Sequence, residues 1–356
     1  MVTPTDLLSG LREHKPASLA RAISLVENAA TGFEDLLAAI HGSLGRARRI
    51  GVTGPPGGGK STLVERLTAA YRKAGLSVGV IAVDPSSPFT GGALLGDRIR
   101  MERNSLDPGV FIRSMASRGS LGGMATTTGE VADVMDAFGF DRILIETVGV
   151  GQSELDVAAA ADTTLVVLVP ESGDGIQVMK AGLMEIADIF VVNKADRPGA
   201  DRLRQEIEVA LGARSGNAYR HVPAHHGLDL TRIRGQRTEV RSQNDDTSAP
   251  DAPPAAWEPP VLATIASQGD GVAELIDVLG RHVGTLTASG ELEVQRRRRL
   301  AQRTREVVDR AMRRWMWSPE GPSAALEAAL SEVAEGRRSP YGAAERVVQA
   351  LRGGAA

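Results

Sequence analysis

At 356 residues the chain is long enough for one large domain with appendages, and its 42% hydrophobic and 24% charged content suits a globular protein with a buried core. Aromatic residues contribute only 3%, so Leu, Ile, Val and Ala must fill that core, which favours helices packed on a buried sheet. A net charge of −3 gives no overall attraction to nucleic acid or an anionic membrane, and the absence of cysteine excludes disulfides and thiolate metal sites.

The N-terminus is mixed polar and lacks a signal-type apolar stretch, and no run reaches the ~20 apolar residues of a membrane helix. The expectation is a cytoplasmic protein with no membrane and no nucleic-acid partner. Along residues 5–46, Leu19, Ile23, Leu25 and Val26, then Phe33, Leu36, Leu37 and Ile40, recur near helical spacing and predict two or three amphipathic helices. From about Arg49 short β-rich runs alternate with helical stretches: ARRIGVTG, SVGVIAVD, DRILIETVG, TTLVVLVP and DIFVVNKAD, followed by Val261–Thr264. Near-continuous apolar strands are buried on both faces, as in a parallel sheet with crossover helices. The expected fold class is therefore α/β, a three-layer, mostly parallel P-loop NTPase core over 48–284 with an N-terminal helical segment, 1–47. Residues 235–256, rich in Pro, Ala, Asp and Ser, read as a disordered insertion. Residues 285–356 read as a charged helical extension, one long helix and two shorter ones.

Gly54-Pro55-Pro56-Gly57-Gly58-Gly59-Lys60-Ser61, followed by Thr62, fits G-x-x-x-x-G-K-[ST] between a strand and a helix. Glycines let backbone N–H groups turn inward around phosphates, Lys60 places a charge on the β/γ oxygens, and the Ser61 hydroxyl suits Mg²⁺. Asp84 and Glu146 each end a strand, where ligands sit in open α/β sheets, and either carboxylate could hold the metal or its waters. Glu146-Thr147-Val148-Gly149 has the spacing of a γ-phosphate-sensing D-x-x-G, with Gly149 offering its N–H. Asn193-Lys194-Ala195-Asp196 after a strand is a guanine reader, because a carboxylate accepts from the N1–H and N2–H₂ donors that adenine lacks. A final base contact is expected from the Ala266 N–H. These features predict a Mg²⁺-dependent GTPase using GTP/GDP. Val150 stands where a water-orienting Gln would follow the D-x-x-G, with Gln152 two positions on, so unaided hydrolysis is expected to be slow.

GVTGPPGGGKST, AVDPSSPFTGGALLGDRIRM, FIRSMASRGSLGG, LIETVGVGQSE, VVNKAD and W-x-P-P-V together resemble the methylmalonyl-CoA mutase-associated GTPases of the MeaB/ArgK type, from about Leu19 to the early 280s. The resemblance implies a homodimeric GTPase that acts as a chaperone of an adenosylcobalamin-dependent acyl-CoA mutase, gating cofactor loading and protecting the mutase. It places Lys60, Ser61 and Thr62 at phosphates and metal, Asp84 and Asp97 in a first, metal-side switch and Glu146 to Gly149 in a second. It makes Glu171 to Lys180 a segment that responds to the partner and gives the helices after 285 the dimer contact. Three departures stand out. Ile265-Ala266 replaces the usual Ser-Ala, the 235–256 insertion is long, and Pro170-Glu171-Ser172-Gly173 replaces a commoner Gly-Ala pattern. A GTP-dependent metallochaperone is the alternative, and a transport-associated ATPase or kinase a third. His14, His41, His221, His225, His226 and His282 make a poor metal cluster without cysteine, and Asp196 should reject adenine. Pro55 and Pro56 stand where a deviant, ParA-type loop needs a lysine.

Arg296–Arg299 read as a solvated helix face or a dimer salt-bridge seam. Met312, Trp315, Met316 and Trp317 read as an apolar interface face, and Arg100, Arg113 and Arg118 as phosphate or partner contacts or surface salt bridges.

Overall fold

The computed structural model describes residues 4–85, 107–117, 123–147, 153–170, 183–214, 257–318 and 323–353. Three helices open the chain, α1 (Pro4–Arg12), α2 (Pro16–Glu27) and α3 (Phe33–Ile40). The core then runs β1 (Arg48–Thr53), α4 (Lys60–Lys73), β2 (Val78–Pro85), β3 (Val110–Ser117), α5 (Gly123–Phe138), β4 (Arg142–Thr147), α6 (Ser153–Ala160) and β5 (Thr163–Leu168). It continues through α7 (Leu183–Ile186), β6 (Ile189–Asn193), α8 (Ala200–Arg214), β7 (Val261–Thr264) and α9 (Val272–Ala288). Three helices close the described chain, α10 (Glu291–Met316), α11 (Ser323–Ala334) and α12 (Pro340–Gly353). The boundary drawn at 284/285 falls inside α9, and the chain turns at left-handed Gly290 before α10.

The seven strands form one parallel sheet in the order β3-β2-β4-β1-β5-β6-β7. The α/β three-layer P-loop architecture expected from the sequence is present. Strands β5 and β6 are buried at every position, which is why they read as near-continuous apolar runs. One strand, β3, was not anticipated: VFIRSMAS mixes Arg113 and Ser114 into its run, and it lies at the sheet edge, where only one neighbour covers it. The N-terminal helices are not a separate body. Leu7, Leu19, Ile23 and Leu36 share one apolar cluster with Ile81 of β2, Met135 of α5 and Ile143 of β4.

Arg113 ties that edge strand to α2, donating to Ser24 Oγ at 3.2 Å and pairing with Glu27. Its partners are therefore within the N-terminal helices; Arg100 and Arg118 lie outside the described residues.

The arginine run of α10 also departs from expectation. Arg296 and Arg299 face inward and grip Asp162, the residue before β5, Arg296 Nη2 at 2.7 Å and Nε at 3.0 Å. Arg296 donates in addition to the carbonyls of Gly45 (2.7 Å) and Ala47 (3.2 Å). Further along, Arg303 pairs with Asp133 and Arg310 with Glu130 at 2.7 Å, both acids of α5. Of the four consecutive arginines, Arg296 and Arg299 are thus satisfied inside this chain by an acid far away in sequence, while Arg297 and Arg298 stay exposed, as a solvated face would have them.

Burial alone would raise the Asp162 carboxyl. The hydrogen bonds from Arg296, the charges of Arg299 and Arg296 and the Arg49 N–H outweigh it and hold the group at about 2. A depressed acid stabilises the fold fully above its unfolded value near 4, and that contribution disappears as pH falls toward 2, about 2 kcal/mol in all. We expect Asp162→Asn to lower stability at pH 6 by about 2–3 kcal/mol and to flatten the loss between pH 4 and 2. Urea unfolding at pH 6 and pH 2.5 measures both; a pH response unchanged from the parent would show that Asp162 is not the titrating group.

Candidate nucleotide site

Strand order reverses beside β1, with β4 and β2 on one side and β5 to β7 on the other, and ligands of open α/β sheets bind outside strand C-termini at such a point. The loop from Gly54 to Gly59 leaves β1 there and runs into α4, whose first residue is Lys60. It can fold this way only because of its glycines. A Cβ on Gly54 (φ 134°) would lie 2.0 Å from the Val167 carbonyl oxygen of β5, and one on Gly59 (φ 82°) 2.4 Å from Asn193 Nδ2. Pro55 and Pro56 need no such freedom and sit where the loop turns away from the strand.

Lys60 is buried, and its ammonium donates to the carbonyls of Gly54 (2.8 Å) and Pro55 (2.9 Å), so it crosses the mouth of the loop. The start of α4 puts the positive end of a helix dipole beside this glycine-rich loop, which favours an anion there. Ser61 and Thr62 follow in the first turn. The Ser61 hydroxyl donates to Glu146 Oε1 at 2.6 Å, joining the head of α4 to the end of β4. Below them Thr53 and Thr147 hydroxyls meet at 3.1 Å. A hydroxyl and a buried carboxylate in contact beside a phosphate-type loop are hard oxygen donors, the chemistry Mg²⁺ selects, so Ser61 and Glu146 fit that ion. The backbone of Asp84 lies at the end of β2, one residue past the pair Val83↔Thr147. The Asp84 side chain, Asp97, Gly149, Glu171 and Lys180 lie outside what is described.

At the base end, Asn193 closes β6. Its Nδ2 donates to the Gly58 carbonyl at 2.8 Å, and its Oδ1 accepts from the Thr264 hydroxyl and the Ala266 N–H, each at 3.1 Å. Thr264 was missed in the sequence. It supplies, one position earlier, a hydroxyl beside Asn193 that Ile265 does not carry. Lys194 adopts φ 56°, a left-handed conformation costly for a non-glycine residue. The turn is held by Ala195 N–H to Thr264 O and Arg197 N–H to Lys194 O, both 3.0 Å, and Asp196 stands solvent-exposed. Phosphate-type loop, Ser61–Glu146 pair and N-K-x-D turn are thus gathered at one edge of one sheet. The ends of the motif set are linked directly through Asn193.

Residues 19–320 match the family described as methylmalonyl Co-A mutase-associated GTPase MeaB. The chain belongs to this family. A Pyrococcus abyssi protein described as a GTPase is 42% identical over 98% of this chain and 97% of its own length. The mouse mitochondrial protein called methylmalonic aciduria type A homolog is 34% identical over 88% of this chain and 68% of its own length. Among solved structures, one titled LAO/AO transport system kinase superposes with a TM-score of 0.64 at 27% identity, covering 98% of this chain and 97% of the other. This MeaB-family chain is a P-loop GTPase.

Gly57 and Gly59 separate two effects. At Gly57 (φ 74°) a Cβ meets nothing within 4 Å, so Gly57→Ala adds backbone strain alone, about 1 kcal/mol. Gly59→Ala adds the same strain and drives Asn193 off the Gly58 carbonyl, so it should cost about 2–3 kcal/mol and weaken guanine-nucleotide affinity more than tenfold. Chemical denaturation with fluorescent-nucleotide titration of both variants gives the comparison, and equal behaviour would refute the bridge.

Proposed function

We propose that this GTPase binds GTP and GDP with Mg²⁺ in the cytoplasm and serves as a chaperone of an adenosylcobalamin-dependent acyl-CoA mutase, gating cofactor loading and protecting the mutase. The observation that carries the nucleotide part is the Asn193 bridge between the phosphate loop and the base turn, with Ser61 against Glu146 beside it. The family description and the mouse relative's name support the mutase part.

In this reading the N–H groups of 57–61 and the head of α4 take the phosphates, and Lys60 exchanges its carbonyl partners for β/γ oxygens. Ser61 and Glu146 hold Mg²⁺, with Asp84 and Asp97 completing the metal side. When bound, the ion neutralises charge on the phosphate oxygens. Asp196 accepts from N1–H and N2–H₂ of guanine, and Gly149 offers an N–H toward the γ-phosphate. With Val150 after Gly149, no side chain at that position orients water, so turnover is slow until a partner contributes. Glu171 to Lys180 transmits the partner's presence.

The unit 48–284 carries the nucleotide, with 1–47 packed against it, and 285–356 carries homodimer contacts. In support, Val294, Val308, Met312 and Trp315 of α10 are each 39–53% exposed.

Two measurements test this. Asp196→Asn replaces an acceptor by an amide and should move preference from guanosine toward xanthosine nucleotides by roughly a hundredfold or more; equal binding of ATP and GTP by the parent protein would sink the base reading. Immobilised protein loaded with a non-hydrolysable GTP analogue or with GDP should retain a cobalamin-dependent acyl-CoA mutase to different extents. No retention in either state removes the chaperone role and leaves the GTPase intact.

A further inference from the structure

Ala266 is held from two sides. Its N–H goes to Asn193, while its carbonyl accepts from Arg66 Nε at 3.0 Å, and the next carbonyl, Ser267, accepts from Arg66 Nη2. Arg66 belongs to α4, the same helix that begins with Lys60 and Ser61. A planar guanidinium can hold two carbonyls at once in a fixed plane, which an ammonium cannot. The rest of the turn is closed by its own backbone: Ile265 N–H to Asp270 O at 3.1 Å, with Gln268 and Gly269 N–H both to Ile265 O at 2.9 Å. Those bonds order the ends of the turn. The peptide planes on either side of Ser267 are ordered by Arg66.

We infer that Arg66 is a positioning residue for the purine subsite, fixing the 265–268 turn so that, when guanine binds, the Ala266 N–H passes from Asn193 Oδ1, which keeps the Thr264 hydroxyl, to the 6-oxo group. This rests on the guanine-nucleotide reading above. The arrangement also makes the phosphate helix and the base turn one rigid unit, joined at the front through Asn193 and Gly58 and at the back through Arg66. A base seated on the turn is thereby in register with phosphates seated on α4. The sequence gives no hint of this role, because Arg66 lies within a helix whose other surface positions are ordinary.

The test uses full-length protein and two diphosphates, GDP and the diphosphate of 2-aminopurine riboside, which keeps the 2-amino group but lacks the 6-oxo acceptor and, with it, the N1–H read by Asp196, so each variant is compared with the parent on the same nucleotide. Arg66→Ala should weaken GDP about tenfold and 2-aminopurine nucleotide less than about twofold, narrowing the discrimination between them by about fivefold or more. Arg66→Lys, with the charge but without the fork, should fall between, and it carries the same comparison if Arg66→Ala does not fold. Without nucleotide, amide hydrogen exchange of a peptide covering 265–271 should be faster in Arg66→Ala than in the parent.

Equal weakening of the two nucleotides, or an unchanged GDP affinity, overturns the inference, as does a parent protein that binds both alike. A parent that binds neither overturns the guanine reading instead. The exchange measurement then decides alone whether Arg66 orders the turn, and unchanged exchange would end that claim too.

Discussion

The site depends on one side-chain amide. Asn193 is buried at the end of β6, where its nitrogen reaches the phosphate loop and its oxygen collects a hydroxyl and an N–H from the segment after β7. An amide carries both a donor and an acceptor, which no carboxylate or ammonium does at this pH, so Asp or Lys could make only half of the connection. The bridge imposes its own demand on the opposite side, since Gly59 must have no side chain for Asn193 to come this close. Two motifs widely separated in the chain are thereby one structural object.

Much of this was legible in the residues. The phosphate loop and the N-K-x-D are strict in both residue type and spacing, and the E-x-x-G in spacing, because backbone approach to phosphate and carboxylate recognition of guanine tolerate few alternatives. Their strands were legible for a different reason: β5 and β6 are covered on both faces, and their polar positions, Thr163, Thr164 and Asn193, stand only at the ends of apolar runs. Edge strand β3 failed the same test, since Arg113 and Ser114 are permitted where only one side is paired. Thr264 and Arg66 were hidden because each acts by touching a residue distant in sequence, and neither belongs to a spaced motif.

Charge was the least legible property. Four consecutive arginines announce a basic helix and say nothing of where the acids are. Asp162 before β5, the partner of Arg296 and Arg299, and Asp133 and Glu130 on α5, the partners of Arg303 and Arg310 further along, can be assigned only once the fold brings them to α10. Asp136 shows the same logic at the entrance to β1. One carboxylate accepts the N–H groups of Gly45 (2.8 Å), Arg46 (3.2 Å) and Ala47 (2.9 Å), fixing the chain just before the strand that leads to the phosphate loop.

Among its 26 residues α10 has none fully buried, so it is fastened to the body by charge and hydrogen bonds in place of a greasy contact. Such a fastening answers to the ionic medium unevenly along its length. At the far end Arg314 and Glu34 are 55% and 60% open to solvent, so counter-ions at ordinary salt, with a screening length of about 8 Å, reach that pair freely. At the root Asp162 is 2% open and largely shielded from them. Rising salt therefore loosens only the last turn of α10, while Arg296, Arg303 and Arg310, each on a nearly buried acid, keep the rest of the helix against the body.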